Sequence, residues 1–164
     1  ELWEKYGGLG FVSNAVWPTA DRSLISPKAE AQEELLNQII KDVSEIKKMT
    51  GIENPRKVTI IVSPTWRYDV YKMILQDKDL KDVMKNEKIR KHGNAVPKYV
   101  QKLMKKKPLD ELFLTAASEI ENLREEKEFF EKKIGAEIEI LFGDDTDHPK
   151  VSSAEPGKPG ILIE

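Results

Sequence analysis

"RKVTIIVS", residues 56–63, is the stretch on which the fold turns. Its β-branched run from Val58 to Val62 favours extended backbone, and the run shows no alternation of polar and apolar residues, as expected of a strand covered on both faces. Ser63 and Pro64 follow at once and open a helix, so the stretch reads as an inner strand feeding a helix. Upstream, Ser26 as N-cap and Pro27 in the first turn begin a long helix, with an inner stripe of Leu35, Leu36, Ile39, Ile40, Val43, Ile46 and Met49 and an end at Gly51. Downstream, the helix from Pro64 presents Trp66, Val70, Met73 and Ile74, and a shorter helical piece runs through Leu80, Val83 and Met84. The longest helical pattern follows, Leu109, Leu112, Phe113, Ala116, Ile120, Leu123, Phe130 and Ile134, closed by Gly135. "AEIEILF", residues 136–142, alternates as a half-exposed strand does, residues 143–160 read as a loop, and "ILIE", residues 161–164, is a short terminal strand. The order predicts an α+β fold, a small mixed three-stranded sheet covered by helices, with a right-handed crossover if its first two strands are parallel.

The beginning of the chain is different in kind. "ELWEKYGG", residues 1–8, reads as the tail of a helix stopped by Gly7, and with no initiator Met it suggests an excised fragment. Residues 11–26 are too irregular for either period and read as a connector pinned by Phe11, Val16 and Trp17.

At 164 residues the chain suits one ordinary domain, or one domain and a piece of another. It has no cysteine, which excludes disulfides, zinc thiolate sites and thiol nucleophiles and points to a cytoplasmic setting. No apolar stretch approaches the roughly 20 residues that cross a bilayer, and no signal-peptide layout is present. Charged residues make up 34% of the chain, above the usual share of about a quarter, a balance that leans toward heat adaptation.

That charge is unevenly spread. Between Lys81 and Lys107 nine Lys and one Arg stand against Asp82 and Glu87, a local +8 within a chain of net −2, so the remainder carries −10. Such a split argues for a local polyanion-binding surface, with nucleic acid the obvious partner. From Pro97 onward Lys98, Lys102, Lys105 and Lys106 fall within about 100° of one another on a helical wheel, leaving Val96, Val100, Leu103 and Met104 to pack inward. Arg90, Lys91 and Asn94 lie in the glycine-containing turn just before, placed to reach phosphate or an unpaired base edge. The plainer reading of the same lysines is a solvated helix face.

Other chemistry is weakly signalled. "GDDTDHP", residues 143–149, offers Asp144, Asp145, Asp147 and His148, but the calcium-loop spacing is not matched and such clusters are common in exposed turns, so no metal site is expected. His92 and His148 sit in loops without a triad pattern, and no glycine-rich phosphate cradle occurs. Trp66 and Tyr68 are expected in the core rather than as stacking platforms.

A resemblance sharpens these readings. In "ELWEKYGGLGFVSNAVWP", residues 1–18, Glu1, Leu2, Trp3, Ala15, Trp17 and Pro18 resemble the end of the helical anticodon-binding domain of class I aminoacyl-tRNA synthetases of the leucine, isoleucine and valine group. "KVTIIVSPTWRYDVYKMI" (57–74), "RKHGNAVPKYVQKLMKK" (90–106) and "GKPGILIE" (157–164) are similar to the C-terminal region of archaeal-type leucyl-tRNA synthetase. The resemblance implies a parent enzyme that joins leucine to its tRNA using ATP and Mg, and a fragment that does none of that chemistry. The family's HIGH and KMSKS signatures are absent, and "KKMTG" at 47–51 lacks the Ser and second Lys. What it implies for the fragment is a division into the end of the anticodon-binding domain with connector and long helix (1–50) and a C-terminal tRNA-binding domain (51–164), with no cofactor of its own. Its partners would be tRNA(Leu), held by the long variable arm, and the catalytic and anticodon-binding domains, with no membrane contact. By the ending, the arm contact maps onto Ile163 and Glu164. The RNA-facing set is then Arg90, Lys91, Asn94, Lys98, Lys102, Lys105, Lys106, Ile163 and Glu164. Two other classes compete: a protein-interaction module whose basic helix docks an acidic partner surface, and a metal-assisted phosphotransferase using the Asp loop.

Overall fold

The computed structural model of the chain describes residues 2–7, 10–15, 19, 21 and 25–164. Strand β1 (Lys57–Val62) runs between β2 (Glu137–Phe142), to which it is parallel, and β3 (Gly160–Ile163), to which it is antiparallel. The β-branched run is thus hydrogen-bonded on both edges and buried from Val58 to Val62. The pairings Val58 with Ile138 and Ile163, and Ile60 with Ile140 and Ile161, put all these side chains on one face. Helix α2 (Pro27–Thr50), α7 (Ala116–Glu125) and α8 (Lys127–Ile134) cover that face with Leu35, Ile39, Val43, Ile120, Leu123, Phe130 and Ile134. Thr59, Ile61 and Ser63 alternate to the other face, where a 3-10 turn (Pro149–Ser152) and the residues after it lie, Ser63 Oγ donating to the carbonyl of Ala154 at 3.2 Å.

A second apolar cluster stands beside the first, built from α3 (Thr65–Leu75), α4 (Leu80–Lys85), α5 (Glu87–Arg90) and α6 (Ala95–Lys105). Helix α3 joins the two: Tyr68 belongs to the sheet core, while Trp66, Val70 and Ile74 face the second cluster. Pro64 offers α3 no side-chain cap, so the cap comes from across the sheet. Asp144 Oδ2 accepts from the Thr65 amide at 3.0 Å and from its hydroxyl at 2.5 Å. The approach requires Gly143, where a Cβ would lie 2.7 Å from the Val62 carbonyl oxygen.

Caps explain the clean helix ends. Ser26 accepts from the Ala29 amide, Pro27 occupies the first turn, and Gly51 closes α2 at φ 73°. The short α1 (Leu2–Lys5) also stops before Gly7 at φ 82°.

Several expectations need correction. The pattern from Leu109 to Ile134 is not one helix. Thr115 and Ser118 form a reciprocal capping box that starts α7 at Ala116, and residues 109–114 before it are not helical, with Leu114 buried and Phe113 exposed. The helix is interrupted again at Glu126, between α7 and α8. Met49 is 85% exposed, because α2 runs a turn past its last core contact, and Met104 is 43% exposed because Tyr99 takes the inward place beside Val96, Val100 and Leu103. Phe11 is 78% exposed rather than packed as a pin; a backbone bond from the Asn14 amide to its carbonyl shapes that turn. Val16 and Trp17 lie outside the described residues.

Because Ile60 is fully buried and paired on both sides, Ile60→Ala is expected to lower unfolding free energy by about 2–5 kcal/mol, read from urea denaturation. Met49→Ala should stay within about 0.5 kcal/mol of the parent.

Candidate nucleic-acid interface

The basic segment is held by its apolar back. Ile89, Val96, Tyr99, Val100 and Leu103 are buried against Trp66, Val70, Ile74 and Val83, which turns the polar faces of α5 and α6 to solvent. Arg90, Lys91, His92 and Asn94 are all exposed in the turn between these helices, and Lys98, Lys102, Lys105 and Lys106 are exposed along and just past α6. The turn is closed by backbone bonds from the His92 amide to Ile89 and from the Gly93 amide to Arg90, both at 3.0 Å.

The lysines differ in their partners. Lys102 and Lys106 both bind the Glu155 carboxylate, Lys106 at 2.8 Å. Burial opposes ionisation of Glu155, whose side chain is only 15% exposed, but hydrogen bonds from the two ammonium groups outweigh it and hold the carboxyl below its ordinary range. Lys107 binds Asp77 at 2.7 Å and Lys85 binds Asp82 at 2.7 Å. Arg90, Lys91, Lys98 and Lys105 make no ion pair among the described residues.

Glu155 is itself positioned from inside the protein. It opens a tight turn, Glu155 to Lys158, with Pro156 and Gly157 at its centre and Gly157 at φ 71°, closed by bonds of 2.9 and 2.8 Å between the end residues. The Gly157 amide donates to Glu119 Oε2 at 3.0 Å, and the same oxygen accepts from the Tyr68 hydroxyl at 2.6 Å. Glu119 on α7 is fully buried, and its other oxygen has no hydrogen-bond partner among the described residues. Burial therefore raises its pKa from 4.5 to about 7, against the opposing pull of those two donors. Next to this turn, Arg67 donates to the Val151 carbonyl at 3.0 Å and to that of Ala154, and its guanidinium lies 5.3 Å from the Trp66 ring centre and 5.4 Å from that of Tyr99. Trp66 and Tyr68 are both in the core.

The chain end lies in the other cluster. Ile163 is half-buried against the sheet core, on the face shared with Ile161, and Glu164 is exposed. The Glu164 backbone completes the β1 edge: its carbonyl accepts from the Arg56 and Lys57 amides at 2.7 and 3.2 Å, and its amide donates to Lys57. In the acidic loop Asp144 serves α3, and His148 Nδ1 accepts from the Lys150 amide at 3.1 Å. Among the described residues no three His, Cys, Asp or Glu side chains gather as a metal site, and no helix is long and apolar enough to cross a membrane.

Comparison with known proteins places this geometry in context. Over all of its length the chain is 39% identical to part of the leucine–tRNA ligase of Pyrococcus horikoshii, covering 17% of that protein. The chain is a relative of archaeal leucine–tRNA ligases. The leucine–tRNA ligases of Pyrococcus abyssi and Methanocaldococcus jannaschii match at 36% and 33% identity, again over the whole chain and 17% of each relative. The chain thus spans about a sixth of the curated leucine–tRNA ligases it matches. No family model matches it.

Sequence reasoning missed Glu155, Glu119 and the surroundings of His92. Each pairing joins residues distant in sequence, and only the apolar flanks of Glu119, Ile120 and Leu123, hinted that this acid faces inward.

The buried carboxyl makes a pH prediction. Between pH 4.5 and about 7 the folded protein keeps a proton on Glu119 that the unfolded chain releases, so stability falls as pH rises through that window, by about 3 kcal/mol, and levels off above it. Glu119→Gln should remove this component, measured as the pH dependence of the urea midpoint of the two proteins.

Proposed function

We propose that the chain is the C-terminal tRNA-binding part of an archaeal-type leucyl-tRNA synthetase, which holds tRNA(Leu) by its long variable arm. In this reading residues 1–50 are the end of the helical anticodon-binding domain with connector and long helix, and residues 51–164 are the C-terminal tRNA-binding domain, on whose sheet α2 packs. The parent enzyme uses ATP and Mg to attach leucine; this part contributes grip and selection. The observation that carries the reading is the cationic surface of Arg90, Lys91, Lys98 and Lys105, unpaired among the described residues, set on an apolar back in a chain whose remainder is strongly acidic. Similarity along the whole chain to about a sixth of the leucine–tRNA ligase of Pyrococcus horikoshii supports it.

The physics suits a tRNA arm. An A-form stem hides its base edges, so affinity comes from phosphates gripped at fixed spacing and selectivity from unpaired residues and overall shape. Arg90, Lys91, Lys98 and Lys105 supply the first grip, with Asn94 beside them for a base or sugar edge. Lys102 and Lys106 join by exchanging Glu155 for phosphate. Glu164 contributes at the arm with its exposed carboxylate, an acceptor for exocyclic amines, and Ile163 supports it from the sheet edge.

If Arg90, Lys91, Lys98 and Lys105 each meet one phosphate, log affinity for tRNA should fall with log salt at a slope of about −3, from roughly 0.7 to 0.9 per contact. Lys98→Glu with Lys105→Glu should weaken long-arm and short-arm tRNAs alike and flatten that slope. A flat response in the parent chain would reject the reading and favour an acidic protein partner. Glu164→Ala, which leaves the backbone bonds of β1 in place, should reduce the preference for long-arm over short-arm tRNA in the same titration; an unchanged preference would remove Glu164 from arm recognition.

A further inference from the structure

Between α5 and α6 an aromatic ring lies open in the middle of the basic turn. The His92 imidazole stacks on Trp66, with ring centres 4.9 Å apart and planes 20° from parallel. Trp66 is only 8% exposed and is braced edge-on by Tyr99, ring centres 5.6 Å apart at 79°, and by the Arg67 guanidinium. His92 is exposed, and its backbone is fixed on both sides: its amide donates to Ile89, which is fully buried, and its carbonyl accepts from the Ala95 amide at 3.2 Å. One face of the imidazole is thus supported by the core, while its neighbours Arg90, Lys91 and Asn94 are exposed polar groups.

We propose that His92 is a stacking platform for an unpaired RNA base, and that this contact, rather than Trp66 or Tyr68, gives the basic turn its preference for single-stranded over paired RNA. The proposal rests on the tRNA-binding reading and adds to it the structural class recognised at this turn. Every base has a π-face, so a flat ring held against a buried indole accepts a base of any identity. Because His92 is fixed by its turn and by Trp66, ordering it on binding costs little conformational entropy. Flanking cations hold the phosphates on either side of the splayed base. Inside a duplex each base is stacked on both sides, and only the outer faces of the two terminal pairs are open, so the ring finds no splayed base along the helix.

The test uses the 164-residue chain and two RNAs of equal length, a stem-loop with 2-aminopurine in its loop and a blunt duplex. Binding should quench 2-aminopurine fluorescence. His92→Ala should abolish the quenching and weaken the stem-loop about tenfold, the scale of one base–aromatic stack, while duplex affinity and the salt slope stay unchanged. His92→Phe, which keeps a flat ring on Trp66, should restore both quenching and affinity; it also guards against a His92→Ala protein that has lost its local fold. Equal losses on both RNAs, undiminished stem-loop binding by His92→Ala, or no rescue by Phe would overturn the platform while leaving phosphate-driven binding intact. Absence of salt-dependent binding to either RNA would instead overturn the tRNA-binding reading, and the platform with it.

Discussion

Both halves of this protein hang from β1. Its backbone is paired on two edges, its side chains are buried on two faces, and it delivers the chain directly into α3, the helix that both apolar clusters share. A central strand of this kind has no room for a polar substitution or a slip of register, since a shift by one residue would exchange Val58, Ile60 and Val62 for Thr59 and Ile61 on the face beneath α2. The contacts that aim the basic helices follow from that strand. Through α3 it sets Trp66 and Val70, and these in turn set the depth at which Val96, Tyr99 and Val100 seat α6.

Charge is layered onto this frame at two levels. The outer level is Arg90, Lys91, Lys98 and Lys105, which carry no ion pair among the described residues. The inner level is the Glu155 carboxylate beneath Lys102 and Lys106, and the buried Glu119 carboxyl beneath the turn that carries Glu155. A polyanion approaching the surface therefore meets some cations ready and others already engaged, and the engaged pair must be won by exchange. Exchange leaves the largely buried Glu155 carboxylate without its two counter-ions, so these two lysines contribute less affinity than their number suggests.

The architecture was legible where local chemistry and tertiary demand agree. Val58 to Val62 announced an inner strand because only a strand with neighbours on all sides tolerates such a run, and Ser26, Pro27 and Gly51 marked α2 because caps act within a few residues. The inward stripe of α6 was legible in its spacing apart from Met104. The failures share one cause. From Leu109 to Ile134 the apolar residues keep helical spacing, yet Thr115 binds Ser118 and starts the helix late, a choice that periodicity does not register. For the candidate surface the cations were visible individually, but which of them carry a carboxylate depended on Glu155, some fifty residues away, and the aromatic support of His92 on a tryptophan across the helix pair. A fully buried glutamate looks in sequence like any other acid on a charged helix.

The Pro156–Gly157 bend has one more implication, for anyone who would redesign the exterior. Its inner side is tethered to a core acid and its outer side presents the counter-ion of two lysines. The outer charge and the buried acid thereby share one short piece of backbone: a substitution that moves the bend acts on Glu119 and Tyr68 within, and a repacking around Glu119 acts on the position of Glu155 without. The two properties cannot be engineered as independent dials.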